Sequence, residues 1–183
     1  MRNWEKMKIE IEVKYKIANA ENIKKKLSIL GFKLYKEIFQ EDYYFSPPHK
    51  DFSATKTYYL RLRCKNQGAI LAYHIVRDNL QTDEWEVKID NFDIFLKILK
   101  FLDFKLDCIV RKNRSIYKKD KINIMIDKVK NLGTFIEIEY NKKFTKKSRE
   151  VFKFLINNLD LKEKNLIKGV GYPDLLIDKK KSD

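Results

Sequence analysis

Charge recurs at every second residue along several short stretches of this 183-residue chain. Glu10, Glu12 and Lys14 form one row. Arg61 with Arg63, Glu84 with Glu86 and Lys88, Lys112 with Arg114, and Glu137 with Glu139 form others. Period two is the signature of a strand, so each row shares one face of a sheet. A sheet with one wet face accounts for a single such strand. Its repetition in nearly every strand, as bare pairs of carboxylates or bare pairs of cations, asks for a further reason. Carboxylates at i and i+2 lie roughly 6.5 Å apart. One pair does not enclose an ion, but pairs from two strands can converge on one or two ions. Oxygen-only ligands suit Mg2+ or Mn2+ rather than zinc. Mg2+ keeps waters and shares substrate phosphates, and the arginine and lysine pairs would grip those phosphates. Metal on one side and a cationic clamp on the other is equipment for phosphoryl transfer, where catalysis is mostly positioning and charge neutralisation. Asp127, on the opposite parity from Ile122, Ile124 and Ile126, is a further carboxylate candidate.

The elements that must carry these rows follow from periodicity. Strands are expected over residues 9–17, 32–39, 42–45, 58–65, 69–77, 84–89, 106–117, 122–129 and 134–140. Asn19 reads as a helix cap before the stripe Ile23, Leu27 and Leu30, which Gly31 ends. A second helix is expected over 92–102 and a third over about 146–159, each with an apolar stripe. Ser46-Pro47-Pro48 opens a loop reaching to about Thr57, and the tail from Lys179 is expected to fray. The chain also repeats itself. Glu10-Ile11-Glu12-Val13-Lys14, a helix and Leu30-Gly31-Phe32-Lys33-Leu34 match Glu84-Trp85-Glu86-Val87-Lys88, a helix and Leu102-Asp103-Phe104-Lys105-Leu106. A duplicated strand-helix-strands unit implies an α+β fold with a largely antiparallel sheet that can close as a barrel.

Composition sets the limits. One domain over residues 1–183 fits the length, and 44% apolar residues suffice for a core. No apolar run reaches the roughly 18 residues of a membrane span, and the N-terminus carries no apolar signal region. The expected setting is cytoplasmic. Cys64 and Cys108 do not make a disulfide framework, and His49 and His74 do not make a zinc site. A net charge of +14 draws polyanions. A nucleic-acid binder is disfavoured, because aromatic residues do not interleave with a contiguous basic patch.

Taken in order, the motifs resemble the CYTH superfamily, and within it the branch of class IV (class 2) adenylyl cyclases. Glu10-x-Glu12-x-Lys14 resembles its N-terminal signature. Gln40-Glu41-Asp42-Tyr43-Tyr44-Phe45, Leu60-Arg61-Leu62-Arg63, Val110-Arg111-Lys112-Asn113-Arg114, Ile126-Asp127-Lys128-Val129, Leu132-Gly133-Thr134-Phe135-Ile136-Glu137-Ile138-Glu139 and Gly171-Tyr172-Pro173-Asp174-Leu175-Leu176 resemble the motifs that follow. The match covers about residues 7–177, leaving a short basic tail at 179–183. The resemblance implies an eight-stranded antiparallel β-barrel, or triphosphate tunnel, with helices packed outside. It implies metal ligation by Glu10, Glu12, Glu137 and Glu139, with Asp127 beside them. It implies phosphate binding by Lys14, Arg61, Arg63, Lys112 and Arg114, and a tunnel middle lined by Glu84 and Glu86.

His74 stands where the family carries a phosphate-binding lysine, with Arg77 following as a compensating cation; Thr82 and Asp83 stand where it tends to carry an arginine. The expected activity is metal-dependent phosphoryl transfer on ATP or inorganic triphosphate. It is adenylyl cyclase-like (ATP to cyclic AMP and pyrophosphate), with a triphosphatase or a non-catalytic triphosphate- or polyphosphate-binding module as alternatives. Lys14, Tyr43 and a metal-activated water are the candidates for proton transfer. The resemblance also allows a homodimer.

Overall fold

Ile11, Val13, Tyr15 and Ile17 are buried on one face of strand β1 (Lys8–Ile17), while Glu10, Glu12 and Lys14 alternate on the other. The same division governs the whole sheet. The computed structural model describes residues 8–49, 58–140 and 145–182. After β1 come α1 (Ala20–Ile29), β2 (Lys33–Ser46), β3 (Tyr58–Cys64), β4 (Ala69–Val76), β5 (Gln81–Ile89) and α2 (Phe92–Phe101). These are followed by β6 (Lys105–Lys119), β7 (Ile122–Val129), β8 (Gly133–Tyr140), α3 (Lys146–Asn158), the short β9 (Leu166–Ile167) and α4 (Tyr172–Ser182). Strand order is β5-β4-β3-β2-β6-β7-β8-β1, and β1 pairs back to β5, so eight antiparallel strands ring around a common interior. β9 continues the β5 side of β1 through Lys14↔Ile167 and Tyr15↔Leu166.

The ring is inside-out relative to an ordinary core. Its outer faces are apolar and lie under helices. Ile23 and Leu27 of α1 and Phe152 and Leu155 of α3 cluster with Ile11, Val13, Tyr15, Ile124, Ile126, Ile136 and Ile138. On the other side Phe92, Phe95, Leu96 and Leu99 of α2 cover Phe45, Leu62 and Leu71. Hydrophobic burial of this kind stabilises the ring from outside, which frees the interior for charge.

The two halves are built alike. Asn19 and Asn91 cap α1 and α2 by accepting from the backbone N–H groups of Asn22 and Ile94, each at 2.9 Å. Gly31 and Asp103 follow these helices with φ of 81° and 59°, and Phe32 and Phe104 donate back to Leu27 and Leu99, each at 2.9 Å.

Two expectations are corrected. β2 is one strand of 14 residues, because Gln40 and Glu41 keep their pairing with Lys112 and Arg111 on β6. The tail does not fray: residues 179–182 are the last turn of α4, where Lys179, Lys180 and Lys181 complement the helix dipole. α4 fills one end of the ring. Its Tyr172 and Leu176 cluster with inward-facing Tyr44, Tyr59, Cys108, Val110, Val129 and Phe135. Tyr59 Oη donates to Asp174 Oδ2 at 2.6 Å, which also accepts from the Gly171 N–H at 2.7 Å. The expected loop at 46–57 lies, from residue 50 on, outside the described residues.

Candidate active site

The interior of the ring holds a cavity of about 330 Å³. Every strand from β1 to β8 contributes to it or to the groups just behind it, because period two sends alternate residues inward. Glu10, Glu12, Lys14, Arg61, Arg63, His74, Glu84, Glu86, Lys112, Arg114, Glu137 and Glu139 all line it, so the structure brings together twelve residues singled out in the sequence.

They are layered. Deepest, against the α4 end, lie Lys14, Lys112, Arg114 and Glu137. Lys14 Nζ is 3.2 Å from Glu137 and 3.3 Å from Glu12. Arg114 pairs with Glu137 and holds Asp127 through Nε at 2.6 Å. Lys112 Nζ lies 3.3 Å from Asp127. Tyr172 forms the floor: its ring sits 4.6 Å from Lys14 Nζ and 4.9 Å from Lys112 Nζ, and its hydroxyl donates to Asp127 at 3.0 Å. Midway, Arg61 reaches Glu84 at 3.2 Å and Glu86 at 3.0 Å, and His74 Nε2 meets Glu84 at 2.6 Å. Nearer the open end, Lys8 pairs with Glu10 at 2.8 Å and Glu139 at 3.2 Å.

Asp127 is fully buried and does not line the cavity. Its oxygens are taken by Arg114, Lys112 and Tyr172, which makes it a counter-ion behind the clamp. Asp42 plays the same part on the other side: it is fully buried and accepts from Arg63 Nε at 2.6 Å and Nη2 at 2.8 Å. Tyr43 stands apart from the group. Its neighbour Asp42 faces inward, so Tyr43 faces out and packs edge-on to Phe92 of α2 with ring centroids 5.1 Å apart. Arg77 does not compensate for His74, because it is paired with buried Asp83 through Nε at 2.7 Å.

The electrostatics follow from this layering. Burial alone would raise the carboxyl pKa of Asp42, but Arg63, Lys112 and Arg61 hold it well below the usual range. Glu84 is lowered likewise by His74 and Arg61, and Glu137 by Arg114, Lys14 and Lys112. Glu10 goes the other way: burial, Glu84 and Glu12 push it up to about 8 against the pull of Lys8. Glu12 is raised by burial and Glu137. Burial lowers the pKa of His74 against the pull of its hydrogen bond to Glu84, with Arg61 and Arg63 adding to the lowering. Lys14 is raised, because Glu12 and Glu137 outweigh burial.

A pH profile follows. Asp42, Glu84 and Glu137 have depressed folded pKa values, so their stabilisation is complete above about pH 4.5 and is lost as pH falls. Glu10 is raised, so the folded state binds an extra proton between about 4.5 and 8 and loses stability as pH rises through that window. His74 is lowered and so adds stability as pH rises toward about 6.5, and thermal unfolding without divalent ions is expected to show its maximum midpoint between about pH 5 and 6.5. Added MgCl2 should lift the alkaline limb. A midpoint that climbs steadily from pH 5 to 8 in EDTA would contradict this arrangement.

The donor set carried by β1 and β8 fits a divalent cation. Glu10, Glu12, Glu137 and Glu139 offer oxygen only, and the crowding that raises Glu10 and Glu12 is what a cation relieves. Among the described residues no three such groups are yet drawn close enough to hold an ion, each carboxylate being turned to a lysine or arginine.

Comparison with known proteins bears on this arrangement. The family model described as CYTH domain matches residues 8–170. The chain belongs to the CYTH domain family. A protein of Methanocaldococcus jannaschii named "putative adenylate cyclase" is 39% identical over 134 residues, 72% of this chain and 76% of that protein. A solved structure from Pyrococcus horikoshii superposes with a TM-score of 0.80 at 28% identity, covering 93% of this chain and 99% of that one. The fold also extends to a Hippeastrum protein (TM-score 0.63, 15% identity, covering 93% and 96% of the two chains), described as a "putative adenylyl cyclase" with a dominant triphosphatase activity. CYTH membership agrees with the closed ring and with the ordered motifs of the sequence. The residues that sequence reasoning missed are Lys8, Asp42 and Tyr172. Asp42 and Tyr172 both stood inside quoted motifs, and the signal that could have found Asp42 was its parity with Tyr44.

No described helix is long and apolar enough to cross a membrane.

Proposed function

We propose that the chain is a divalent-metal-dependent phosphoryl-transfer enzyme acting on a triphosphate, adenylyl cyclase-like in its reaction. The observation that supports this reading is the shared interior: Lys14 and Lys112 gathered over Tyr172, and the carboxylates of β1 and β8 beside them, all on one cavity. Mg2+ or Mn2+ held by Glu10, Glu12, Glu137 and Glu139 would neutralise charge on the phosphates. Lys14, Arg61, Arg63, Lys112 and Arg114 hold phosphate oxygens, exchanging some of their present carboxylate partners for them. Asp42 and Asp127 keep two of the arginines oriented. In the cyclase reaction the ribose 3′ oxygen attacks the α-phosphorus and pyrophosphate leaves. That choice rests on the name of the Methanocaldococcus relative.

Hydrolysis at the terminal phosphorus is the second reading, and one observation favours it. Among the described residues the aromatic rings lining the cavity, Tyr44, Tyr59 and Tyr172, all pack at the closed end. Among the described residues the charged outer half offers no ring on which adenine would stack.

Incubation with ATP, and separately with inorganic triphosphate, in Mg2+ or Mn2+ tests both. Cyclic AMP with pyrophosphate from ATP is the expected outcome. Orthophosphate release instead makes the chain a triphosphatase. Tight binding without turnover makes it a binding module, and neither binding nor turnover removes the site assignment.

A further inference from the structure

The interior is closed at one end, and the group that closes it has a defined chemistry. Tyr172 opens α4, is buried, and still lines the cavity. Two ammonium groups approach its ring, Lys14 at 4.6 Å and Lys112 at 4.9 Å from the centroid. Its hydroxyl is fixed on Asp127 at 3.0 Å, and Phe135 packs edge-on to its ring with centroids 5.1 Å apart. Behind it α4 is seated on Val110, Val129 and Cys108 by Leu176. The two cations beside the ring would bind a terminal phosphate, and the ring and the packed helix leave that phosphate no path beyond them.

We propose that Tyr172 is the end stop that sets the register of a bound phosphate chain, so that the site takes phosphate chains with one free, unesterified end and counts phosphorus atoms from that end. This rests on the reading of the cavity as a triphosphate site. It deepens that reading, because cyclisation and hydrolysis share the clamp and differ in which phosphorus stands before the nucleophile. A chain that passed through the ring would have no fixed register. A chain arrested against Tyr172 has one, whatever group projects from the open mouth. The positive charge of Lys14 and Lys112 is placed for the higher charge density of a free terminal phosphate. An esterified end lacks that charge and carries a nucleoside that the floor blocks.

Calorimetric titration of the full chain in MgCl2 tests the stop without requiring turnover. Inorganic triphosphate is expected to bind at least about tenfold more tightly than diadenosine triphosphate, whose two ends are both esterified. Equal affinities would mean that the chain threads the ring, and would overturn the stop while leaving the triphosphate site in place. Failure of inorganic triphosphate itself to bind would overturn the site and the stop together. A second series reads the floor directly. In the wild type, affinity should rise from pyrophosphate to triphosphate and level off at inorganic tetraphosphate, whose extra unit projects from the mouth. Tyr172→Phe keeps the ring and should keep that plateau. Tyr172→Ala deepens the floor, and affinity should continue to rise, several-fold, to tetraphosphate. A folded Tyr172→Ala with the wild-type plateau would overturn the assignment to this residue. Should Tyr172→Ala not fold, the capped-against-free comparison and Tyr172→Phe still decide.

Discussion

Glu12→Ala is expected to reduce metal-dependent turnover by at least about 100-fold while shifting the thermal midpoint by no more than about 3 °C. The first half of this expectation comes from position. Glu12 lies on the tunnel face of β1 between Glu10 and Lys14, beside Glu137 and with its side chain one-third exposed to the cavity. It is among the carboxylates whose crowding a divalent ion would relieve. The second half comes from the partners it leaves behind. Its removal strands no buried cation, because Lys14 keeps Glu137 at 3.2 Å. The Glu12 backbone N–H still donates to Leu80 at 3.0 Å, so the seam between β1 and β5 is kept. Initial rates at saturating Mg2+ or Mn2+, with differential scanning fluorimetry on the same preparation, check both. Turnover within threefold of wild type would take Glu12 out of the site. A midpoint lower by 10 °C would make it a structural ion-pair partner instead.

Most of the strands were legible because the ring is wet inside and greasy outside, so parity separated the two faces cleanly. Glu10, Glu12 and Lys14 against Ile11, Val13 and Tyr15 is the plainest case. The caps at Asn19 and Asn91 were legible in the same way, since the side chain and the stripe it precedes are local. Tyr43 was misplaced because parity was silent there. Aromatic residues occupy both faces of β2 at 43–45, Tyr44 toward the plug and Tyr43 and Phe45 toward α2. α4 was invisible for another reason. Its burial depends on Val110, Val129 and Cys108 being gathered at one end of a closed ring, and no local pattern reports that. Asp127 was read as a possible ion ligand for want of the same long-range information, namely the positions of Arg114 and Tyr172.

Asp127→Ala should therefore destabilise the chain by about 3–5 kcal/mol, the usual loss when one member of a buried charge pair is removed, and lower the thermal midpoint by roughly 10 °C. Asp127 is fully buried and neutralises Arg114 and Lys112 together. Arg114 retains Glu137, but Lys112 loses the ion pair described for it and is left with the face of Tyr172. Burial already lowers the pKa of Lys112, with Arg114 adding to it, so removing the opposing carboxylate drives the amine further toward neutrality. Asp127→Asn keeps an acceptor for the Tyr172 hydroxyl and should lose less. The pairing has a counterpart that makes it a device rather than an accident. Asp42 lies as far along the chain from Asn19 as Arg114 lies from Asn91, and in each half the partner of opposite charge comes from the next strand, Arg63 on β3 and Asp127 on β7. The two halves thus hold the same acid–guanidinium pair with its polarity reversed, and Arg63→Ala should share the stability loss because it strands buried Asp42. Melting Asp127→Ala in EDTA separates this account from metal ligation. A counter-ion is missed in EDTA as much as in Mg2+, and inorganic triphosphate should restore part of the loss by bringing negative charge to the same cations. A loss below about 1 kcal/mol in EDTA that grows only when Mg2+ is added would return Asp127 to the metal site.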